Sequence, residues 1–335
     1  MKNKKITLIT NEGLTINKNE IFCQNIITKI LCEELSSYCQ ISIIGKKYKS
    51  NLKINHKNLN VLNNFFSSIY KILFNNKDNK YLVLSITPYT FFYMLLLKIT
   101  NSDTYLYLRS DGFKEYTFKY YFLGFYLYKF FFLISTYKTK IISCNKNLSN
   151  GKEYFKVTPS IINNKWLNHR KINKISTKIK LLYVGRFRIE KGIYSLLNLI
   201  KELNLDFILS LVGDDNKNMM KNKNIINYGI IDNENQLIKM YDMSDIIILP
   251  SYTESYSKVI DESLSRGKPV IIFDEIKEII LNRIGVFAIK RNSKDLNNKI
   301  IYIKNNYEKI TKQILNQKIP NKKDFIMQLT SHIIL

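Results

Sequence analysis

Two carboxylates are spaced in a way that could do chemistry. In Ser244–Phe273, SDIIILPSYTESYSKVIDESLSRGKPVIIF, Glu254 and Glu262 are separated by seven residues. The apolar run Ile246–Leu249 reads as a strand closed by Pro250, and Ser251–Ser255 as a polar loop. Val259, Ile260 and Leu264 then fall at helical spacing, and Gly267 with Pro269 just beyond reads as the helix end. Val270–Phe273 suits a second buried strand. Strand, crossover helix and parallel strand make one βαβ unit. Glu254 then lies at the carboxyl end of a strand, where open parallel sheets bind ligands, and Glu262 lies inside the helix. The helix begins near Ser257 and Lys258, and its free N–H groups and positive dipole end suit a phosphate. A plainer reading stays open on these residues alone. Lys258 and Glu262 have the spacing of an exposed helix pair, and Glu254 could be a solvated loop carboxylate.

Upstream, LLYVGRFRIEKG at Leu181–Gly192 reads as a strand ending at Gly185, with Arg186 and Lys191 in the loop before another amphipathic helix. With this stretch the chain resembles the family 4 glycosyltransferases of the GT-B fold. The resemblance rests on Gly185-Arg186…Lys191-Gly192, Val212-Gly213-Asp214, Tyr228-Gly229, Leu249-Pro250-Ser251, Glu254…Glu262 and Gly267-Lys268-Pro269-Val270, in that order. It covers about residues 180–290.

The resemblance implies an α/β chain of two Rossmann-like doubly wound domains facing across a cleft. It also implies transfer of a sugar from a nucleotide diphosphate donor, with retention at the anomeric carbon, to a glycan or lipid-linked acceptor. Bacterial cell-surface polysaccharide synthesis (lipopolysaccharide, capsule or O-antigen) is the expected setting. In that scheme Arg186 and Lys191 neutralise the departing diphosphate, helped by N–H groups near Ser257 and Lys258. Glu254 binds the sugar hydroxyls and Glu262 the ribose. Tyr256, Gly213, Asp214 and Gly229 complete the donor site. Ser255 follows Glu254 where the family usually has Gly, which implies an altered sugar preference. The family's first loop is glycine-rich and faces the acceptor; here Gly13 alone remains. Many members carry a His near the donor sugar. His56, His169 and His332 lie elsewhere, so either Arg109 or Asp111 takes that place, or Asp111-Gly112 is a plain turn. These departures keep a second reading in view: a catalytically silent GT-B-like protein that binds a nucleotide sugar or scaffolds a partner enzyme.

Absent motifs narrow the chemistry. There is no P-loop and no dinucleotide fingerprint. There is no D-x-D to hold a divalent ion on a diphosphate, so no metal or other cofactor is expected, and positive charge must come from Arg186 and Lys191. The net charge of +25, from 52 basic and 27 acidic residues, favours a polyanion or an anionic membrane surface. A chain crowded with Lys, Asn and Ile gives the same balance without selection for either. Basic residues are spread along the chain with no zinc spacing or nucleic-acid motif, so no nucleic-acid partner is expected. Cys23, Cys32, Cys39 and Cys144 form no C-x-x-C and read as small buried residues of a reducing compartment. MKNKKITLIT reads as a first strand rather than a signal peptide, and no uncharged apolar run reaches the ~18 residues of a membrane span. A cytoplasmic chain, peripheral at most to the inner face of the plasma membrane, follows.

The positioning elements can be sketched in order. Residues 1–158 read as an acceptor domain, 159–178 as a linker, 179–310 as the nucleotide-sugar domain, and 311–335 as a helical tail that crosses back to the first domain. In the first domain Ile6–Ile9 is a strand, Asn11-Glu12-Gly13 a loop, and Ile21, Phe22, Ile26, Ile27, Ile30, Leu31 and Leu35 one helix face. Ile41–Ile44, Leu59–Leu62, Tyr81–Ser85 and Thr104–Leu108 are further strands. The aromatic run Tyr116–Tyr137 is either a buried helix or a face that dips into a membrane interface. Trp166 is expected to pack at the interdomain surface, the alternative being a contact with a base. In the second domain Leu181–Val184, Phe207–Val212, Ile225–Tyr228 and Val286–Ile289 join the strands above in a doubly wound pattern.

Overall fold

The computed structural model describes residues 4–18, 20–56, 59–74, 79–170, 174–213 and 223–334. It divides into two units: Met1–Pro159 with Lys322–Leu335, and Ser160–Asn321.

The first unit carries β1 (Lys5–Asn17), β2 (Glu20–Cys23), α1 (Ile26–Leu35), β3 (Gln40–Lys47), β4 (Leu52–Ile54), β5 (Asn60–Leu62) and α2 (Phe65–Phe74). There follow β6 (Asn79–Leu84), α3 (Pro88–Ile99), β7 (Thr104–Leu108), α4 (Gly112–Thr136), β8 (Lys140–Ser143) and β9 (Phe155–Lys156). The parallel strands run β5-β3-β1-β6-β7-β8-β9. This is a doubly wound order that reverses between β1 and β6. Their apolar runs are continuous because both faces of the sheet are covered.

Two expectations fail in this unit. First, β1 does not stop at Ile9. It shifts register between Ile9 and Gly13 and continues as an antiparallel partner of β2, with Leu14 opposite Cys23. Ile21 and Phe22 are therefore strand, and the helix begins only at Ile26, capped by the Asn25 side chain. Gly13 lies inside β1 rather than in a loop. Its N–H donates to Gln24 Oε1 at 2.9 Å and its carbonyl accepts from Ser50 Oγ at 2.8 Å, so both backbone groups are spent on structure. Second, the aromatic run is not one helix. α4 breaks at Tyr120 and Tyr121, the latter at φ 52°, ψ −142°. The chain doubles back, so Phe113 packs against Tyr128 at 4.8 Å and Phe132 at 5.3 Å. In a straight helix Phe113 and Phe132 would stand about 28 Å apart. Gly124 allows this approach, since a Cβ there would lie 2.0 Å from the Tyr116 carbonyl oxygen.

The second unit carries α5 (Asn164–Leu167), β10 (Ile179–Val184), α6 (Ile193–Leu199), β11 (Phe207–Val212), β12 (Ile225–Asn227) and α7 (Glu234–Met243). Then come β13 (Ile246–Leu249), α8 (Lys258–Ser265), β14 (Val270–Phe273), β15 (Val286–Ile289), α9 (Ser293–Asn305) and α10 (Tyr307–Asn316). Its sheet runs β12-β11-β10-β13-β14-β15, all parallel. The order reverses between β10 and β13, and the loops leaving these two strands are the Arg186/Lys191 and Glu254 segments.

The expected linker is partly core. Trp166 is 2% exposed and packs in the core of this unit, edge-on to Tyr241 at 5.5 Å. Its Nε1 donates to Glu234 Oε1 at 3.1 Å. The buried Arg266 donates to the Trp166 and Asn168 carbonyls at 2.9 and 2.7 Å. A buried cation stays buried only when so partnered, which fixes the segment to α8. At the other end α10 remains with the second unit, and α11 (Lys322–Ile333) packs in the first. All four cysteines are free and buried.

Candidate functional site

The second unit's loops meet at the carboxyl ends of β10, β11 and β13. Leu182 of β10 pairs with Ile247 of β13, so the chain leaves these neighbouring strands side by side. The β10 loop must pass close under the β13 loop, and Gly192 makes that passage. It sits at φ +68°, and a Cβ there would lie 1.8 Å from the Pro250 carbonyl oxygen. The Tyr252 N–H donates to the Glu190 carbonyl at 3.0 Å and seals the two loops together. On the other flank Gly185 N–H donates to the Val212 carbonyl and Gly213 N–H to the Gly229 carbonyl, each at 2.9 Å. A Cβ on Gly213 would lie 2.2 Å from the Gly185 oxygen. Gly213 and Gly229 thus hold the β11 and β12 ends against the β10 loop. Asp214 lies outside the described residues.

The loop geometry joins two of the expected site residues directly. Lys191 Nζ lies 2.6 Å from Glu254 Oε1, and the same oxygen accepts from Ser251 Oγ at 2.9 Å. Glu254 is thus no solvated loop carboxylate. Arg186 is exposed, and its guanidinium makes no ion pair among the described residues; its carbonyl is held by Tyr183 OH at 2.8 Å. Just beyond, Ser257 is the N-cap residue of α8 and its side chain makes no capping bond, which leaves first-turn N–H groups without that partner.

Glu262 departs from the surface-pair reading. It is 5% exposed and accepts from the buried Tyr241 OH at 2.6 Å. Burial pushes the Glu262 carboxyl above the usual glutamate range, against the pull of Tyr241 and Lys258. Burial and the neighbouring carboxylate likewise raise the Tyr241 phenol, so this bond is a phenol donating to a carboxylate. Glu262 makes no hydrogen bond to Lys191 or Glu254. Tyr256 is occupied too: its OH donates to Asp261 Oδ2 at 2.5 Å, and Arg283 holds the other Asp261 oxygen at 2.7 Å.

Two arginine contacts, one in each unit, were not visible in the sequence. Arg291, just past β15, donates to the Pro250 and Ser251 carbonyls at 2.9 and 3.2 Å and lies 4.0 Å over the Tyr252 ring. It clamps the Glu254 loop from below. In the first unit, Glu12 accepts from Arg109 Nη2 at 2.7 Å and from Thr28 Oγ1 at 2.6 Å. Arg109 Nε also reaches Ser85 Oγ at 3.3 Å, and its buried Nη1 has no hydrogen-bond partner among the described residues. Glu12 sits at the register shift within β1, and Ser85 and Arg109 at the carboxyl ends of β6 and β7. Asp111 is not a plain turn residue: it caps α4, accepting from the Lys114 N–H at 3.1 Å. Neither signal was local, since the partners lie 41 and 97 residues apart in sequence. Among the described residues, no group of three or more His, Cys, Asp or Glu is placed to hold a metal ion.

Comparison with known proteins falls on this same unit. Residues 164–319 match the family described as glycosyl transferases group 1. The match supports a glycosyltransferase of group 1. A protein of Klebsiella pneumoniae, described as an uncharacterized 41.2 kDa protein in the cps region, is 32% identical over 132 residues. That alignment covers 38% of this chain and only 36% of the relative's own length. Similarity of fold extends much further. Sucrose-phosphate synthase from Thermosynechococcus elongatus superposes with a TM-score of 0.70 at 14% identity, covering 98% of each chain. Anabaena HepE, solved with UDP and glucose, gives 0.69 at 11% identity, covering 98% of this chain and 99% of that one. The fold is α/β with parallel sheets and matches GT-B glycosyltransferase structures.

Proposed function

We propose that the chain transfers a sugar, with retention, from a nucleotide diphosphate sugar to a glycan or lipid-linked acceptor in cell-surface polysaccharide synthesis. The observation that carries this is the pairing of Lys191 with Glu254 in the two loops where the strand order reverses, just ahead of the start of α8 and beside an Arg186 that makes no ion pair among the described residues. The family match, the cps-region relative and the UDP bound by HepE support the same reading.

The chemistry follows from charge. A diphosphate leaving group gains negative charge as the sugar–oxygen bond breaks, and fixed positive groups lower that barrier. Arg186 and Lys191 supply them from the β10 loop, and the first-turn N–H groups of α8 from the β13 side. No metal is required in this scheme. Lys191 must leave Glu254 to reach the diphosphate, and that exchange frees the Glu254 carboxylate to accept from the sugar hydroxyls. Donor binding and sugar recognition are thereby coupled through one ion pair. Glu262 accepts from the ribose hydroxyls, with Tyr241 fixing its carboxylate. Arg109 and Asp111 lie at the carboxyl end of β7 and are assigned to the acceptor.

Release of free nucleoside diphosphate across a panel of donors, with and without acceptor lipid, tests the proposal. Acceptor-dependent release with one donor is expected. Binding of a nucleoside diphosphate with no release under any pairing would favour the catalytically silent reading, and no binding at all would end both.

A further inference from the structure

We propose that a basic cleft at the amino end of β8 is a second ligand site in the first unit, fitted to a small phosphate ester with an apolar body. The cleft holds about 660 Å³, within the ~300–1,000 Å³ usual for small-molecule sites. Lys140 and Ile141 of β8 line one side of it. The crossover from β8 to β9 lines the other with Lys146, Lys152 and Phe155. Lys140 stands opposite Tyr105 in the register of β7 and β8. Arg109 follows four residues beyond Tyr105, so at ~3.3 Å per residue it lies about 13 Å further along the sheet. The cleft is therefore separate from the Glu12–Arg109 cluster.

Two turns in the crossover shape this cleft. The Asn150 N–H donates to the Asn147 carbonyl at 3.2 Å, and the Lys152 N–H to the Ser149 carbonyl at 3.0 Å. Asn150 and Gly151 both take positive φ, 48° and 80°, which Asn and Gly tolerate best. The chain then comes back beside β8, with Phe155 opposite Ile142. Lys146 enters the turns and Lys152 leaves them, and both line the cleft. The Lys152 ammonium lies 6.0 Å over the Phe132 ring of α4. His332 stacks on one face of Phe155 at 4.5 Å and holds that ring in the cleft wall.

Charge selects the ligand. Three lysines line the cleft against one acidic residue, Glu153. Lys140 is paired with Asp103 at 2.9 Å, whereas Lys146 and Lys152 pair with no carboxylate among the described residues. A fourth lysine lies against the rim: Lys98 Nζ donates to Thr139 Oγ1 at 2.6 Å. Burial pushes the Lys98 ammonium below the usual lysine range, and the charge of Lys152 pushes it further the same way. Like charges are thus held near one another, and an anion in the cleft relieves that repulsion. The lining has lysines and no arginine. That suits a phosphate dianion met by point charges better than a carboxylate met by a planar fork. Ile141 and the part-exposed Phe155 add apolar surface that a bare phosphate would leave unused. The proposal is independent of the donor-site reading, and its test contains no nucleotide.

The full chain is titrated calorimetrically with phenyl phosphate, inorganic phosphate and benzoate. Saturable binding of phenyl phosphate, tighter than of either other probe and weakening as salt rises, is expected. The Lys146→Gln/Lys152→Gln variant should weaken it roughly tenfold, from the worth of charge-assisted hydrogen bonds at a part-exposed site. Glu153→Gln removes the opposing charge and should tighten it severalfold; Glu153 is exposed, so that variant should keep the parent's thermal melt. Lys191→Ala should leave phenyl phosphate binding unchanged, which separates this cleft from the β10 loop. The proposal is overturned by the absence of saturable binding, or by benzoate or inorganic phosphate binding as tightly as phenyl phosphate. It is overturned equally by a lysine variant or a Glu153→Gln variant that binds like the parent, or by loss of binding in Lys191→Ala, since the probe then sits at the donor loops.

Discussion

Glu254→Gln should tighten the binding of a free nucleoside diphosphate. Lys191 Nζ and Glu254 Oε1 are 2.6 Å apart, with side chains 23% and 13% exposed. If Lys191 serves the diphosphate, each binding event breaks this pair. A charge-assisted hydrogen bond contributes ~1.5–3 kcal/mol and a neutral one ~0.5–1.5 kcal/mol, so the Gln variant lowers the cost by about 1–1.5 kcal/mol. Partial exposure trims this toward about 1 kcal/mol. At ~1.4 kcal/mol per tenfold, the nucleoside diphosphate should bind roughly fivefold tighter, and removal of a like charge near the phosphates acts in the same direction. The intact donor should gain less, because the variant loses a carboxylate contact to the sugar, and transfer should fall. Lys191→Ala should move the other way, weakening the nucleoside diphosphate roughly tenfold or more. Titration calorimetry of parent and both variants, with thermal melts as a folding control, reads all three. A Glu254→Gln variant that is well folded and binds the nucleoside diphosphate more weakly than the parent, or equally, refutes the exchange of Lys191 between carboxylate and diphosphate.

Other outcomes follow from the same geometry. Sugar transfer should survive a chelator, since Arg186 and Lys191 carry the compensating charge; loss of transfer that added magnesium or manganese restores would show that they do not suffice. Burial raises the Glu262 carboxyl, so the native chain holds that proton more tightly than the unfolded one, and stability falls as pH rises from the ordinary glutamate range toward the raised value. Glu262→Gln should flatten that fall in melts taken from mildly acidic to neutral pH, and an unchanged pH profile would contradict it. Gly192→Ala meets both a positive φ and the Pro250 carbonyl oxygen, and should cost about 1–3 kcal/mol in urea denaturation.

The second unit was readable because its signals are local. Ile246–Leu249 and Val270–Phe273 are unbroken apolar runs because a central parallel strand is covered on both faces, and all eight residues are buried. The loop positions of Arg186, Lys191 and Glu254 were legible, since a strand's carboxyl end is fixed once the strand is; the roles proposed for them came from the family resemblance. What failed depended on distant partners. Ile21 and Phe22 have a spacing that fits a helix face, but pairing with β1 and β4 makes them strand. Nothing in YTFKYYFLGFYLYKF marks Tyr120 and Tyr121 as a break: there is no Pro, and the nearest glycine is Gly124, whose importance comes from the Tyr116 carbonyl it lies against. Trp166 sits in a polar, basic stretch that reads as linker, and only Glu234 and Tyr241 of α7 make it core. Glu12 and Arg109 were each visible as polar residues after a strand, but their pairing belongs to the sheet order.

The return of α11 to the first unit sets an order of events on the ribosome. All of that unit's strands have been synthesised by Lys156, yet the helix that buries Phe325 and Leu329, and whose Phe325 lies 6.2 Å from Tyr107 of β7, comes only after Ser160–Asn321. At roughly 5–20 residues per second the emerging sheet waits about 10 to 30 s for its last helix. During that interval the second unit, contiguous in sequence, is synthesised in full. The unit that starts first therefore finishes last, and a chain cut short before Lys322 leaves an apolar seat open for chaperones or for aggregation.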